Sequence, residues 1–228
     1  MLWLYVQAPF AAFRHFTAGS FRPTAPFITP SAAYGLLLNV AGIEMRLEDD
    51  RSPTTLIAKD LPNVEIALGA IVVPERHSLY QQLHNYPVGN TGADHAPACK
   101  GSKYNIAPAR RAFLSNLRAC IGVRGNENLA DQVRRGLAGQ GPRVYGLPFL
   151  GDNNFLPDRI DILESPRAAR WLVPLREDEV LEPDEEPMRL TVTIDRADMS
   201  RTISRLYRMG AAETAAVPDT AWTALAYD

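Results

Sequence analysis

Residues 112–124 read AFLSNLRACIGVR, and their side chains alternate. Leu117, Ala119, Ile121 and Val123 fall on one side, and Asn116, Arg118, Cys120 and Arg124 on the other. A period of two with one apolar side predicts a half-buried strand with a partly basic open face. Upstream, VEIALGAIVV at 64–73 predicts a second strand, with Ile66, Leu68, Ala70 and Val72 on one side. The apolar and aromatic run from Leu2 to Val6, ending near Pro9, predicts a buried first strand.

Two helices fit between and after these strands. Thr29 can cap the first, and Pro30 suits its first turn, where a missing N–H leaves nothing unpaired. Ala32, Ala33, Leu36, Leu37, Val40 and Ala41 make it apolar on most sides, and Gly42 can close it. Asn126 or Asn128 can cap the second, which carries Leu129, Val133 and Leu137 at i, i+4, i+8 and runs to about Ala138. Residues 143–149 can return as a strand. The order is βαββαβ, an α+β chain of the ferredoxin-like (RRM-like) kind, which proves no function alone. Residues 1–165 would form this domain. Residues 166–228 would form a small acidic α/β annex, with a strand at Leu190 to Ile194 and a helix near Ala197 to Met209 carrying Met199, Ile203 and Leu206 inward.

One length breaks the plan. The two middle strands need only a short hairpin, yet 38 residues run from Pro74 to Arg111. Loops that long are functional or linker-like. This one holds Gly89, Gly92, Gly101, Lys100, Lys103, Tyr80, Tyr86 and Tyr104. Cations interleaved with rings suit a single-stranded nucleic acid, whose phosphates and bases they meet respectively.

The net charge of −2 hides an asymmetry. Residues 1–170 hold 18 Lys+Arg against 14 Asp+Glu, and residues 171–228 hold 6 against 12. Nine cations and two acids fall within 97–145, a footprint for a polyanion. Hydrophobic residues make up 46% of the chain, enough for a real core. Two cysteines give no disulfide framework, and no apolar run reaches membrane-spanning length, so a reducing cytoplasm is expected. No Gly-Lys-Ser/Thr follows a glycine loop, and no Gly-x-Ser-x-Gly occurs. His84, His95 and Cys99 lack the close pairing of a zinc module, so neither metal nor cofactor is expected. His15, beside Arg14 and near Tyr34 if the helix folds back, could activate a 2′-OH or simply hold phosphate. Holding phosphate is the expectation, because no second proton carrier is evident.

Three segments together resemble the Cas-five family of CRISPR-associated RAMP proteins: LYVQAPFAAFRHFTAGSFR at 4–22, PTAPFITPSAAYGLLLNVAG at 23–42, and LPFLGDNNFLPDRI at 147–160. The resemblance implies a subunit of a type I Cascade. Such a subunit holds the 5′ handle of the guide (crRNA) and touches the large subunit and the first backbone subunit. Target DNA would be met only through the complex, in antiviral defence or RNA-guided DNA targeting. It also implies that the insertion, residues 75–111 here, is a thumb crossing the guide. Arg14, His15, Arg22 and Ser31 would then cradle the handle, Ser31 at a helix end with free N–H groups. Lys100, Lys103, Tyr104, Arg110 and Arg111 would form the thumb and its base, with Tyr34, Asn153 and Asn154 as additions. One branch of the family cuts precursor RNA with a Tyr, a Lys and a His. No Lys-His pair occurs here, so no catalytic residue is expected. A metal-independent endoribonuclease is one alternative. A free-standing RNA-recognition module is another, although residues 117–124 carry no Phe or Tyr.

Overall fold

The computed structural model describes residues 1–13, 21–47, 55–84, 106–142, 146–176, 179 and 186–227. Twelve strands are described: β1 Leu2–Ala11, β2 Phe21–Arg22, β3 Arg46–Leu47, β4 Leu56–Ile57, β5 Val64–Val72, β6 Glu75–His84, β7 Ile106–Arg124, β8 Arg159–Leu163, β9 Arg170–Pro174, β10 Met188–Thr193, β11 Ile203–Met209 and β12 Thr223–Leu225. The two α-helices are α1 Pro30–Ala41 and α2 Glu127–Leu137. The fold is mixed, with one large, mainly antiparallel sheet ordered β10-β11-β9-β5-β7-β1-β8. The four strands at one end of this order, β5-β7-β1-β8, pair antiparallel throughout.

The helices begin where their caps predict. The Thr29 hydroxyl accepts the Ala32 N–H at 3.1 Å, Pro30 opens the first turn, and Gly42 closes α1 at φ 75°. Asn126 Oδ1 accepts the Leu129 N–H at 3.0 Å at the start of α2. Each cap is worth about 1 kcal/mol. Both helices cover one side of the sheet, where Leu2, Leu4, Val6, Leu117, Ala119, Ile121 and Val123 meet Leu37, Val40, Leu129 and Val133 in a single core.

The other side is half covered. Trp3, Trp171, Cys120 and Ala67 form a second buried cluster with Trp222 packed against it. Cys120, expected on an open face, therefore lies under tryptophan. Gly122 makes room for this: a Cβ there would stand 2.3 Å from the Trp3 ring. The chain closing this side is C-terminal, so β9 and β12 pair directly with β5.

Four expectations change. The predicted helix near 197–209 is a 3₁₀ turn, Met199–Arg201, followed by strand β11. Met199, Ile203 and Leu206 are exposed, and Tyr207 is the side chain that enters the core. Strand pairing with β10 and β9 overrides the helical spacing. The predicted strand at 143–149 is absent from 146–149, while 143–145 lie outside the described residues. Its place beside β1 is taken by β8. Pro74 to Arg111 is no loop at its two ends: β6 and the first half of β7 form a ribbon from Glu75↔Ser115 to His84↔Ile106. Residues 85–105, the rest of that segment, lie outside the described residues.

The ribbon joins the core at a kink. Asn116 has φ 56°, a left-handed backbone that non-glycine residues seldom adopt. Leu117 and Leu114 are both fully buried in the same core, as are Ala8 and Ala11 on the partner strand. An uninterrupted strand would point residues three apart to opposite sides. The alternation has therefore shifted by one at Pro9 and Asn116. Beyond the shift, Phe10, Ser115 and Phe113 take the side opposite the helices.

Candidate nucleic-acid interface

The base of the ribbon gathers rings and guanidinium groups from four chain segments. The loop after α2 supplies the first part. Asp152 Oδ1 accepts the Asn154 N–H at 2.9 Å, and the Phe155 N–H donates to the Asp152 carbonyl at 2.9 Å. This tight turn docks on the end of β1, with the Ala12 N–H donating to the Leu150 carbonyl at 3.1 Å. Gly151 permits the docking. It has φ 80°, and a Cβ would fall 1.8 Å from the Ala12 carbonyl oxygen.

The turn aims two side chains at the ribbon. The Asp152 carboxylate pairs with Arg111. Phe155 lies under the Arg111 guanidinium, 5.3 Å from ring centre to Cζ, and beside Phe10 and Phe113 at 6.2 and 6.3 Å. Phe10 and Phe113 meet edge to face at 5.5 Å, and His77 stacks on Phe113 at 5.4 Å. His77 Nε2 lies 2.7 Å from Ser115 Oγ. Burial raises the Asp152 pKa, but the Asn154 N–H, the Arg111 guanidinium and the Arg22 charge outweigh it and hold the carboxyl below its ordinary range.

Arg22 enters through β2, which runs parallel to β7 and pairs Phe21 with Arg110 and Arg22 with Arg111. Paired residues share a face and neighbours alternate. Arg111, Arg22, Phe113 and His77 thus share one face of the ribbon. Arg110, Phe21, Ser78 and Tyr80 share the other. There the Arg110 guanidinium lies 5.9 Å from the Phe21 ring and donates to Ser78 Oγ at 3.0 Å. Tyr80 is 79% exposed, Phe10 45% and Phe21 39%. Exposed rings beside guanidinium groups are a surface on which bases can stack while phosphates are neutralised.

A groove of about 570 Å³ lies between β6 and the C-terminal strands, with Arg76, Arg170 and Arg208 in its wall. Arg208 is held by Glu179, and Arg170 donates to the Gly210 carbonyl at 2.7 Å. Two of its three cations are already engaged, and the groove is not part of the candidate interface.

Arg22, expected in the handle cradle, Arg111, expected at the thumb base, and the 152–154 turn come together, and Asn153 and Asn154 are exposed on that turn. Arg110 lies across the ribbon from them. Arg14, His15, Lys100, Lys103 and Tyr104 lie outside the described residues, as do His95 and Cys99. Ser31 and Tyr34 do not join the group. Ser31 Oγ donates to the Thr191 carbonyl at 3.0 Å, and the start of α1 is capped from within and packed near β10. Tyr34 is wholly buried, donates to the Pro62 carbonyl at 2.7 Å and stacks on Tyr227 at 5.6 Å. Both are committed to packing against the C-terminal half, which the sequence reading left as a separate annex. Sequence reasoning missed Phe10, Phe21, Phe113, Phe155 and His77. The available signal was Phe155 in the quoted 147–160 loop and Phe113 at the head of the alternating strand.

The comparisons with known proteins bear on the family and the fold. The family model for the CRISPR-associated protein (Cas_Cas5) matches residues 1–157. A solved structure titled "CRISPR RNA-guided surveillance complex" contains a chain of similar fold. It is 15% identical, with 93% of this chain and 90% of that chain covered and a TM-score of 0.60. Another, "Crystal structure of Cas protein", is 17% identical over 91% of this chain and 92% of that one, with a TM-score of 0.45. No curated protein matches the chain. The family match takes in the first strand, both helices and the Gly151 turn, more than half of the sequence, and so the chain belongs to the CRISPR-associated Cas5 family.

Proposed function

We propose that this chain is the subunit of a type I Cascade that binds the 5′ handle of the crRNA. The observation that carries the reading is the ribbon base, where Phe10, Phe113 and Phe155 lie with Arg22 and Arg111 on one face and Phe21 lies with Arg110 on the other. Recognition would proceed through phosphate contacts and splayed bases rather than a base-pair code. The wiring of β1, α1, β5, β7, α2 and β8, with sheet order β5-β7-β1-β8, supports a ferredoxin-like reading of the core. The β6–β7 ribbon would be the stem of the thumb. Leu147, Phe149 and Leu156 are exposed beside the cluster and suit contact with neighbouring protein subunits, the large subunit and the first backbone subunit. Target DNA is met only through that assembly, in the cytoplasm, for antiviral defence or RNA-guided DNA targeting.

In this reading the chain does not cut RNA. The Tyr34 phenol supports that view: burial first, then the neighbouring Tyr227, push its pKa upward, and its proton is engaged by Pro62. Incubating the purified chain with labelled repeat RNA and EDTA tests it. Specific cleavage that disappears in His15→Ala would overturn the non-catalytic assignment.

The binding reading is tested by purification from cells and sequencing of the copurified RNA. Handle-containing guides are expected. Binding of that RNA should weaken steeply with salt, and Arg22→Ala should lower the slope by about 1. A salt-independent affinity, or RNA without the handle, would overturn the reading.

A further inference from the structure

We propose that the open side of the sheet carries a second phosphate-contacting row, Arg118–Gln7–Arg159, along which the guide RNA continues after the ribbon base; the proposal rests on the RNA-binding reading above. Gln7 pairs with Arg118 of β7 on one side and with Arg159 of β8 on the other. The three side chains therefore stand abreast on one face, with the outer two about 10 Å apart at normal strand spacing. The face is the one away from the helices, since Leu4, Val6, Leu117 and Ala119 take the other.

The row is built to donate. Tyr5, one pair along the strand, is buried, and its hydroxyl donates to Gln7 Oε1 at 2.9 Å. That bond engages the amide oxygen and leaves the NH₂ with two donors. Arg118 and Arg159 are exposed, and the Arg118 side chain has no hydrogen bond or ion pair among the described residues. A third guanidinium, Arg167, lies 4.4 Å over the Tyr5 ring, with that of Arg159 at 5.9 Å. Asp161 partners Arg159 at 2.6 Å and leaves the other two cations unbalanced. Like charges gathered on neighbouring strands repel unless an anion joins them. A solvated surface gives no reason for two guanidinium groups to converge on one buried tyrosine.

The row also continues the interface already described. Gln7 and Phe10 are three residues apart on β1, about 10 Å. The phase shift at Pro9 and Asn116 puts them on the same side of the sheet. A single strand stacked on Phe10 and Phe113 meets the donor row next if it runs along β1.

The test uses the full chain and a fluorescent repeat-derived RNA. Arg118→Ala/Arg159→Ala is compared with Arg22→Ala/Arg110→Ala at the ribbon base. The first double variant should melt as the parent does, bind about tenfold more weakly, and lower the salt slope by about 2, one per lost phosphate contact. A photoreactive residue at position 7 should crosslink to a different nucleotide from one at position 10. Parental affinity and slope in the first variant, with loss in the second, would overturn the row and leave the handle reading intact. No loss in either variant would overturn both. Parental RNA affinity combined with loss of a protein subunit from the purified particle would mean that the row docks an acidic protein surface, and the proposal fails.

Discussion

The two halves of β7 share one backbone and differ in what covers them. Between residues 119 and 123 the strand is sandwiched: the helices lie on Ala119 and Ile121, and the tryptophan cluster lies on Cys120. Between 108 and 115 only Ala109, Ala112 and Leu114 are buried, while Pro108 and Arg110 are exposed. The first half holds the fold through apolar area removed from water. The second keeps just enough burial to fix a platform and presents cations and rings. Changes to the sandwiched side chains should therefore read out as stability, and changes to the exposed cations and rings as binding.

The largest effect is expected below the kink. Trp171 is buried against Trp3 at 6.1 Å, and its indole N–H donates to the Thr214 carbonyl at 2.8 Å. Trp171→Ala should cost about 3–5 kcal/mol, seen as a lowered urea midpoint. A shift below about 1 kcal/mol would break the division. Gly151→Ala comes next, because the new Cβ would meet the Ala12 carbonyl in a backbone region that alanine avoids. It should cost about 1–3 kcal/mol locally. Faster hydrogen exchange at Leu150 and Phe155, with weaker RNA binding, would report the turn detaching.

The ribbon should show the reverse pattern. His84 pairs with Ile106, so a short turn can replace residues 85–105. The shortened chain should melt cooperatively within about 0.5 kcal/mol of the parent, since the buried apolar faces lie elsewhere. Its RNA affinity should fall, and chemical probing at the handle–spacer junction should change. Failure to fold would show that the segment belongs to the core. The smallest effect concerns acid. The lowered Asp152 pKa makes the Arg111 pair stabilising above the ordinary carboxylate range, near about 4. That contribution is lost as pH falls through the lowered value. The stability gap between the parent and Asp152→Asn should stay constant from about pH 5 upward and close in acid. A gap that widens in acid would reverse the assignment.

Much of the core was legible because its signals are local. Thr29, Gly42 and Asn126 cap where capping chemistry demands, and the alternation from Leu117 to Val123 names the face that meets the helices, although Cys120 on the other face is buried too. The failures were non-local. Met199, Ile203 and Leu206 have helical spacing, and only the partner strands β10 and β9 reveal the segment as β11. The ribbon was hidden because its exposed strands carry polar residues such as Arg76, Ser78 and Gln82, with no apolar period to detect. At the interface, clustered cations pointed to Arg110 and Arg111 directly. Phe10, Phe113 and Phe155 come from three distant segments and meet only in the folded chain. Tyr34 and Ser31 were misplaced because nothing local shows that the C-terminal strands close over α1.

Asn116 also sets a rule for how such a molecule can vary. Above its left-handed turn, one face of the hairpin is committed to Arg111, Phe113 and His77. Inserting one residue in each strand would rotate every later side chain to the wrong side. Inserting two would preserve the face and lengthen the arm by about 7 Å. The reach of the arm is therefore graduated, and lineages that lengthen or shorten it should do so in even steps.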